Sequence, residues 1–271
     1  MIAAMLGLLA ETPVHPGSGR GLGVVDLPVA REAATGYPVI VGSSLKGALR
    51  TKFEGTSDDA DLRFGKQDRA GDLLVADARL VLLPVRSLTS SYRWATCPHL
   101  IERYGRDLTR AGLSPRPAVP TVERGAVLAA GEDHLYLEER QFSVSSSPDG
   151  LADAIGPVVL HEDTRQRLES QIAVLHDDDF AWFARYGLSI QARNVLADDG
   201  SKQSQNLWYE ETLPPDTVMY ALVMGRNDDA MKTLGALFPE QDPYLQAGGN
   251  ETVGQGWFAV NVLTAGEGGD Q

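Results

Sequence analysis

The sequence predicts an α+β fold in which one sheet carries insertions, and three observations predict it. Strand-like and helix-like segments are interleaved along the whole chain. Two glycine clusters frame it: "GSGRGLG" (17–23) follows the opening strand and "GGNETVGQG" (248–256) precedes the closing one. With 43% apolar residues among 271, the chain can bury one large core or two modest ones, which excludes the disordered and fibrous classes.

The opening run "MIAAMLGLLAETPVHPG" is apolar with no basic n-region and is too short for a bilayer, which takes ~20 apolar residues, so it reads as a strand. "GYPVIVGSSLKGALRTKF" (36–53) reads as a short β-branched strand, a Gly-Ser break and a helix. Ser43 or Ser44 is a natural N-cap, Leu45, Ala48, Leu49 and Phe53 recur at helical spacing, and Lys46 and Arg50 fall one turn apart on the solvent side. "GDLLVADARLVLLPV" (71–85) carries two strand-like runs. "TCPHLIERYGRDLTRAG" (96–112) is helical, with Pro98 in the first turn and Gly112 as the stop, and 113–135 is Pro- and Gly-rich and irregular. "LHDDDFAWFARYGL" (175–188) reads as a capped helix, "LPPDTVMYALVMG" (213–225) as a buried strand after a proline turn, "RNDDAMKTLGALFP" (226–239) as another helix and "WFAVNVL" (257–263) as the closing strand. One long insertion lies near 60–150 and a shorter polar one near 189–207.

A formal charge of −13, from 37 acidic and 24 basic side chains, excludes indiscriminate adhesion to nucleic acid or anionic membrane, and leaves room for a local basic groove. Cys97 is the sole cysteine, so neither an intrachain disulfide nor a multi-cysteine metal site can form, which suits a reducing cytoplasm.

An anion at the start of the 42–52 helix would meet free N–H groups, the positive end of the dipole and two cations; the same spacing also fits the wet face of an amphipathic helix. Neither glycine-rich run has the spacing of a nucleotide loop, although alternating glycines let a backbone approach a polyanion closely, and Arg20 sits among them. Asp26, in "VVDLPVARE", can bind a metal or steer a proton beside His15 and Arg20, or simply cap a turn before Pro28. The acidic runs "HDDD" (176–179) and "HED" (161–163) are explained by helix capping and the macrodipole. Trp208 and Tyr209 suit base stacking or core packing alike.

The run "TPVHPGSGRGLGVVDLPVAREAATGYPVIVGSSLKGALR" (12–50) resembles the signature of RAMP proteins of type III CRISPR effector complexes, most closely the Cmr-type (type III-B) backbone subunit that carries target-RNA cleavage. The likeness continues in order through "RSLTSSYRWATCPHLIERY", "LYLEERQF", "DDDFAWF", "NLWYEETLPPDTVMYALV" and "GGNETVGQGW". It departs at Val41, where the family often has proline, and at "SQNLWYEE", which lacks the usual glycine before the leucine.

The resemblance implies a single RAMP domain over 1–271, with a modified ferredoxin-like (RRM-like) palm at about 1–60, 150–188 and 210–265, a helical and irregular insertion at about 60–150 and a β-thumb at about 189–209. It implies a cytoplasmic subunit that binds guide crRNA and target RNA, with copies of itself in a head-to-tail filament, other Cmr-type subunits and no membrane. Asp26 falls on the family's catalytic aspartate, with His15 nearby, and a divalent metal ion (Mg or Mn), held by Asp26, serves cleavage to a 2′,3′-cyclic phosphate and a 5′-hydroxyl. The guide backbone is expected on Gly17, Ser18, Gly19, Arg20, Ser43, Ser44, Lys46, Arg50, Gly248, Gly249, Gly254 and Gly256, and the thumb contacts on Asn194, Leu196, Lys202 and Trp208. A second reading keeps the fold and makes the subunit a non-catalytic scaffold. A guide-processing RAMP endonuclease does not carry this order of motifs, and an unrelated enzyme holding a small phosphorylated ligand at 42–50 would explain the helix alone.

Overall fold

The computed structural model describes residues 1–21, 23–131, 133–198 and 201–265. The first half of the chain forms β1 (Ile2–Ala10), β2 (Val39–Ile40), α1 (Gly42–Lys52), α2 (Ser57–Phe64), β3 (Leu73–Val75), β4 (Ala78–Arg86), β5 (Tyr92–Thr96) and α3 (Pro98–Ala111). There follow β6 (Ala126–Ala129), β7 (His134–Leu137), β8 (Arg140–Ser146), α4 (Leu151–Ile155), α5 (Glu162–Gln171), β9 (Ile172–Leu175) and α6 (Asp177–Tyr186). The remainder is β10 (Ser189–Leu196), β11 (Ser204–Thr212), β12 (Val218–Gly225), α7 (Asp228–Ala236), β13 (Tyr244–Gln246) and β14 (Trp257–Thr264).

β1 is the middle of the molecule because both its faces are apolar. It pairs antiparallel with β12 on one side and β14 on the other, and β12 continues antiparallel to β4. Alternate side chains point to opposite faces of a strand. Ala4, Leu6 and Leu8 therefore join a core with Leu45 and Leu49 of α1, Phe180 and Phe183 of α6, and Leu234 of α7. Met5 and Leu9 join a second core with Ile101, Tyr104 and Leu108 of α3 and Leu168 of α5. Gly7 faces this second layer, where a Cβ would lie 2.0 Å from the Val158 carbonyl oxygen, so only glycine lets that backbone pass.

Beyond β4 the sheet runs through β5, β9, β6, β8 and β7. β7 then turns back onto the chain leaving β4: Ser87 bridges Leu137, and the Glu138 N–H donates to the Arg86 carbonyl at 2.8 Å. The strands thus close into a ring, which leaves that end without a free edge.

The structure corrects three expectations. The 113–135 stretch is not wholly irregular, because Ala126–Ala129 is a strand paired to β9 and β8. The 60–150 segment is not external to the main sheet, since β4 lies inside it beside β12. Neither Ser43 nor Ser44 caps α1: the N-cap is Val41, and the Gly42 N–H donates to Asp77 Oδ1 at 2.7 Å. A side chain from beside a distant strand takes the place of a local cap. α3 does begin at Pro98 and ends on left-handed Gly112.

The polar stretch after α6 folds as the two-stranded antiparallel hairpin β10–β11, a sheet of its own. Such a ribbon is marginal by itself, so its position depends on contacts at its root.

Candidate functional site

The root is zipped to the segment carrying Asp26. Residues 16–30 double back on themselves: Ala30 N–H donates to the Pro16 carbonyl, Gly17 bridges Val29, and Gly21 N–H donates to the Asp26 carbonyl at 2.8 Å. Leu27 then pairs with β11, giving its N–H to Tyr209 and taking one from Glu211, each at 3.0 Å. The exposed Asp26 side chain continues this ladder, with Oδ2 accepting the Tyr209 N–H at 2.8 Å. The result is a cleft of about 340 Å³ between loop and hairpin, lined by Arg20, Gly21, Asp26, Leu27, Asn206, Leu207 and Trp208. Arg20 is exposed and has no ion-pair or hydrogen-bond partner among the described residues. Trp208 forms part of the wall, its indole N–H buried without an acceptor among the described residues.

Two buried acids hold the root, and neither is among the residues that motif and spacing single out. Glu211, 7% exposed, accepts the Val29 N–H at 3.0 Å and pairs with Arg31 at 2.7 Å. Arg31 also donates to the Gly36 and Ala184 carbonyls. Glu210, 2% exposed, accepts from the Asn250 amide and lies 3.8 Å from Arg193 Nε. Buried charge persists only where it is paired and hydrogen-bonded. The signal available in the sequence is the adjacent pair of acids in "WYEETLPP": neighbours in a strand face opposite ways, so both cannot point to the same solvent. The Val29 N–H that meets Glu211 lies 182 residues away in the chain and has no local signature.

His15 stands behind the cleft and does not line it. Its Nδ1 lies 2.8 Å from the Glu211 carbonyl, so Nδ1 carries the proton and donates, and its own carbonyl accepts the Gly249 N–H. Gly248 has φ +98, and a Cβ there would sit 2.8 Å from the His15 carbonyl oxygen. The 248–256 loop is thus pressed onto the 12–16 segment, with the Gly256 N–H on the Pro13 carbonyl. Gly249 is packed against the His15 ring, while Gly254 and Gly19 face open space. Ser18 hydrogen-bonds back to the Pro28 carbonyl.

The two cations of α1 have different surroundings. Arg50 is committed internally, to Asp61 at 2.5 Å and the Gly65 carbonyl at 2.8 Å, and it holds the Asp61 carboxyl below the usual range. It is therefore not free on the solvent side. Lys46 is half-buried with no acceptor among the described residues; burial, and then the charge of Arg226, hold its ammonium below the usual lysine range. Ser43 and Ser44 are exposed on the first turn. On the hairpin, Asn194 accepts from the Ser204 hydroxyl, and Leu196 and Lys202 are exposed near its tip.

The acidic runs are structural. Asp177 accepts the His99 N–H, Asp178 pairs with Arg124, and buried Asp179 pairs with Arg140 at 2.8 Å and accepts the Gly125 N–H. The α6 cap itself is the His176 ring, which accepts from the Asp178 N–H. His161 pairs with Glu11. Among the described residues no group of three or more His, Cys, Asp or Glu side chains is placed to hold a metal.

The family profile of the RAMP superfamily matches residues 8–259. The chain is 33% identical over 283 residues to the CRISPR system Cmr endoribonuclease Cmr4 of Pyrococcus furiosus, covering 97% of this chain and 96% of that protein. Its structure is similar to that of oligomeric Cmr4 from Pyrococcus furiosus, with a TM-score of 0.76 and 27% identity over 97% of this chain and 98% of that one. A chain in the type III-B Cmr-beta complex bound to cognate target RNA has the same fold, with a TM-score of 0.76 and 20% identity over 97% of each chain.

Proposed function

The chain belongs to the RAMP superfamily, and from that membership we propose that it is the repeated backbone subunit of a type III-B CRISPR effector complex, which binds guide crRNA and cleaves complementary target RNA. The observation that carries this is near full-length identity of 33% to a Cmr endoribonuclease, with Asp26 set in an open cleft at the hairpin root. The subunit works in the cytoplasm, in a head-to-tail filament of its own copies with other Cmr-type subunits. The order β14–β1–β12–β4, with α1 and α7 as the crossovers, supports a modified ferredoxin-like palm, and the β10–β11 hairpin supports a thumb reaching from it.

Guide phosphates lie along the exposed start of α1, where Ser43, Ser44 and Lys46 are free to meet them, and along the open glycines Gly19 and Gly254. In the cleft the target's own 2′-OH attacks the adjacent phosphorus, leaving a 2′,3′-cyclic phosphate and a 5′-hydroxyl. Asp26 takes the 2′-OH proton on Oδ1 while the Tyr209 N–H fixes Oδ2, so a backbone donor orients the carboxylate. His15 acts indirectly, by holding the glycine-rich loop and the hairpin root together.

A single carboxylate beside bound RNA fits Mg²⁺ or Mn²⁺ held between Asp26 and the substrate, and such an ion would offset charge on the reacting phosphate. Among the described residues Asp26 is the only carboxylate lining the cleft, and a cation there would draw its remaining oxygens from water and RNA phosphate. Asp26→Ala in the assembled complex is expected to stop cleavage of guide-matched RNA with target affinity within about two-fold of the parent. One observation favours the scaffold reading: Asp26 Oδ2 already has a structural acceptor role. Cleavage at the parental rate by that variant would establish it.

A further inference from the structure

We propose that Arg20 is a second catalytic residue, placing its guanidinium on the non-bridging oxygens of the phosphodiester that Asp26 serves. The inference rests on reading the cleft as the cleavage site. Attack by the 2′-oxygen turns a monoanionic phosphodiester into a phosphorane with charge gathering on two oxygens. This happens beside a carboxylate, in a chain of formal charge −13. Something in the cleft must offset that charge, and among the described residues lining it Arg20 is the sole cation.

The backbone delivers it there. The Gly21 N–H to Asp26 carbonyl bond, 2.8 Å, closes the loop so that Arg20 and Asp26 enter the same cleft from the two arms of one turn. The side chain is also uncommitted. Arg31, Arg50, Arg79, Arg103 and Arg140 are each paired to a carboxylate, whereas Arg20 has no partner among the described residues. A planar fork with parallel N–H groups matches two phosphate oxygens.

The step balances without a redox partner. The 2′-O–P bond forms as the P–O5′ bond breaks, the 2′-OH proton goes to Asp26, and the departing 5′-oxygen takes a proton from solvent. Arg20 stays protonated throughout and gives hydrogen bonds only.

The test uses the complex reassembled with guide RNA, saturating matched target and single-turnover conditions. Arg20→Ala is expected to slow cleavage about 10²-fold, with target dissociation within about two-fold and an unaltered melting temperature, and Arg20→Lys to fall between it and the parent. Sulfur replacing a non-bridging oxygen at the cut linkage should slow the parent complex and have little further effect in Arg20→Ala. A rate within about three-fold of the parent overturns the proposal. So does a slow variant that keeps the full parental sulfur effect. Asp26→Ala is run alongside: normal cleavage by it defeats the reading of the cleft itself, whereas a dead Asp26→Ala with an active Arg20→Ala defeats only the role given to Arg20.

Discussion

The cleft beside Asp26 and the junction at the start of α6 both bring carboxylates and arginines together, and they differ in how those charges are satisfied. At the junction Asp177, Asp178 and Asp179 each have a partner, and Arg140 adds stacking over Phe142, Trp182 and Phe183 to its ion pair. In the cleft Asp26 has one oxygen engaged, and Arg20 has no partner among the described residues. A closed cluster commits its electrostatic capacity to the fold. An open one keeps it for a ligand, and the chain supports that openness with closed pairs beneath, Glu211 with Arg31 and Glu210 with Asn250.

Asp26→Asn separates the charge of the open cleft from its geometry. The amide oxygen can still accept the Tyr209 N–H, so the loop stays zipped, and only charge and basicity are lost. Single-turnover cleavage is expected to drop about 10³-fold with no change in melting temperature. A variant that unfolds earlier and cleaves normally would make Asp26 a structural carboxylate like Asp177 and Asp179.

Asp179→Ala is the converse. It strands the Arg140 guanidinium in a half-buried setting, and unfolding free energy is expected to fall by about 3 kcal/mol in denaturant titration, while cleavage per folded complex stays at the parental rate. Loss of cleavage at full stability would move the junction into the site.

The same contrast recurs in α1 at smaller scale. Lys46→Ala should lower the slope of log affinity against log salt for guide RNA by roughly 0.7, the value for one phosphate on a single strand. Arg50→Ala should leave that slope alone and loosen the α1–α2 contact, seen as a lower melting temperature. Equal slope changes would mean that Arg50 leaves Asp61 when RNA binds.

The smallest effect concerns pH. Burial pushes the Glu32 carboxyl up, but the hydrogen bonds from Arg103 and Thr35 and the charges of Arg103 and Arg79 outweigh it and leave the group below the usual range. A folded-state pKa below the unfolded one contributes stability above the unfolded value, lost as pH falls through the folded one. The gap in melting temperature between the parent and Glu32→Gln should therefore be widest near neutrality and narrow below the ordinary glutamate value of ~4.3. A gap constant with pH would remove the ion pair from the account.

What can be read from the chain alone is local. Periodicity places α1, α3, α6 and α7, Pro98 and Gly112 bound α3, and the apolar runs of β1, β12 and β14 name the core strands without any knowledge of contacts. Asp26, Arg20 and Lys46 stand out as chemistry-bearing types in glycine-rich or helix-start settings, because such settings expose backbone wherever they occur. Which of two like residues is free cannot be read. Lys46 and Arg50 are equivalent by spacing and are separated only by Asp61 and Gly65 arriving from α2 and the turn after it. Val41 replaces Ser43 as the cap because Asp77 reaches Gly42 from beside β4. His15 and Asp26 look like a pair in sequence, yet pairing with β11 turns one toward the Glu211 carbonyl and leaves the other at the cleft. Hydrogen bonds and ion pairs between segments far apart in the chain commit a polar side chain or leave it available, and no local pattern encodes the partner. Local pattern therefore sets the elements and the residue types, and long-range contacts set which charges stay open to a ligand.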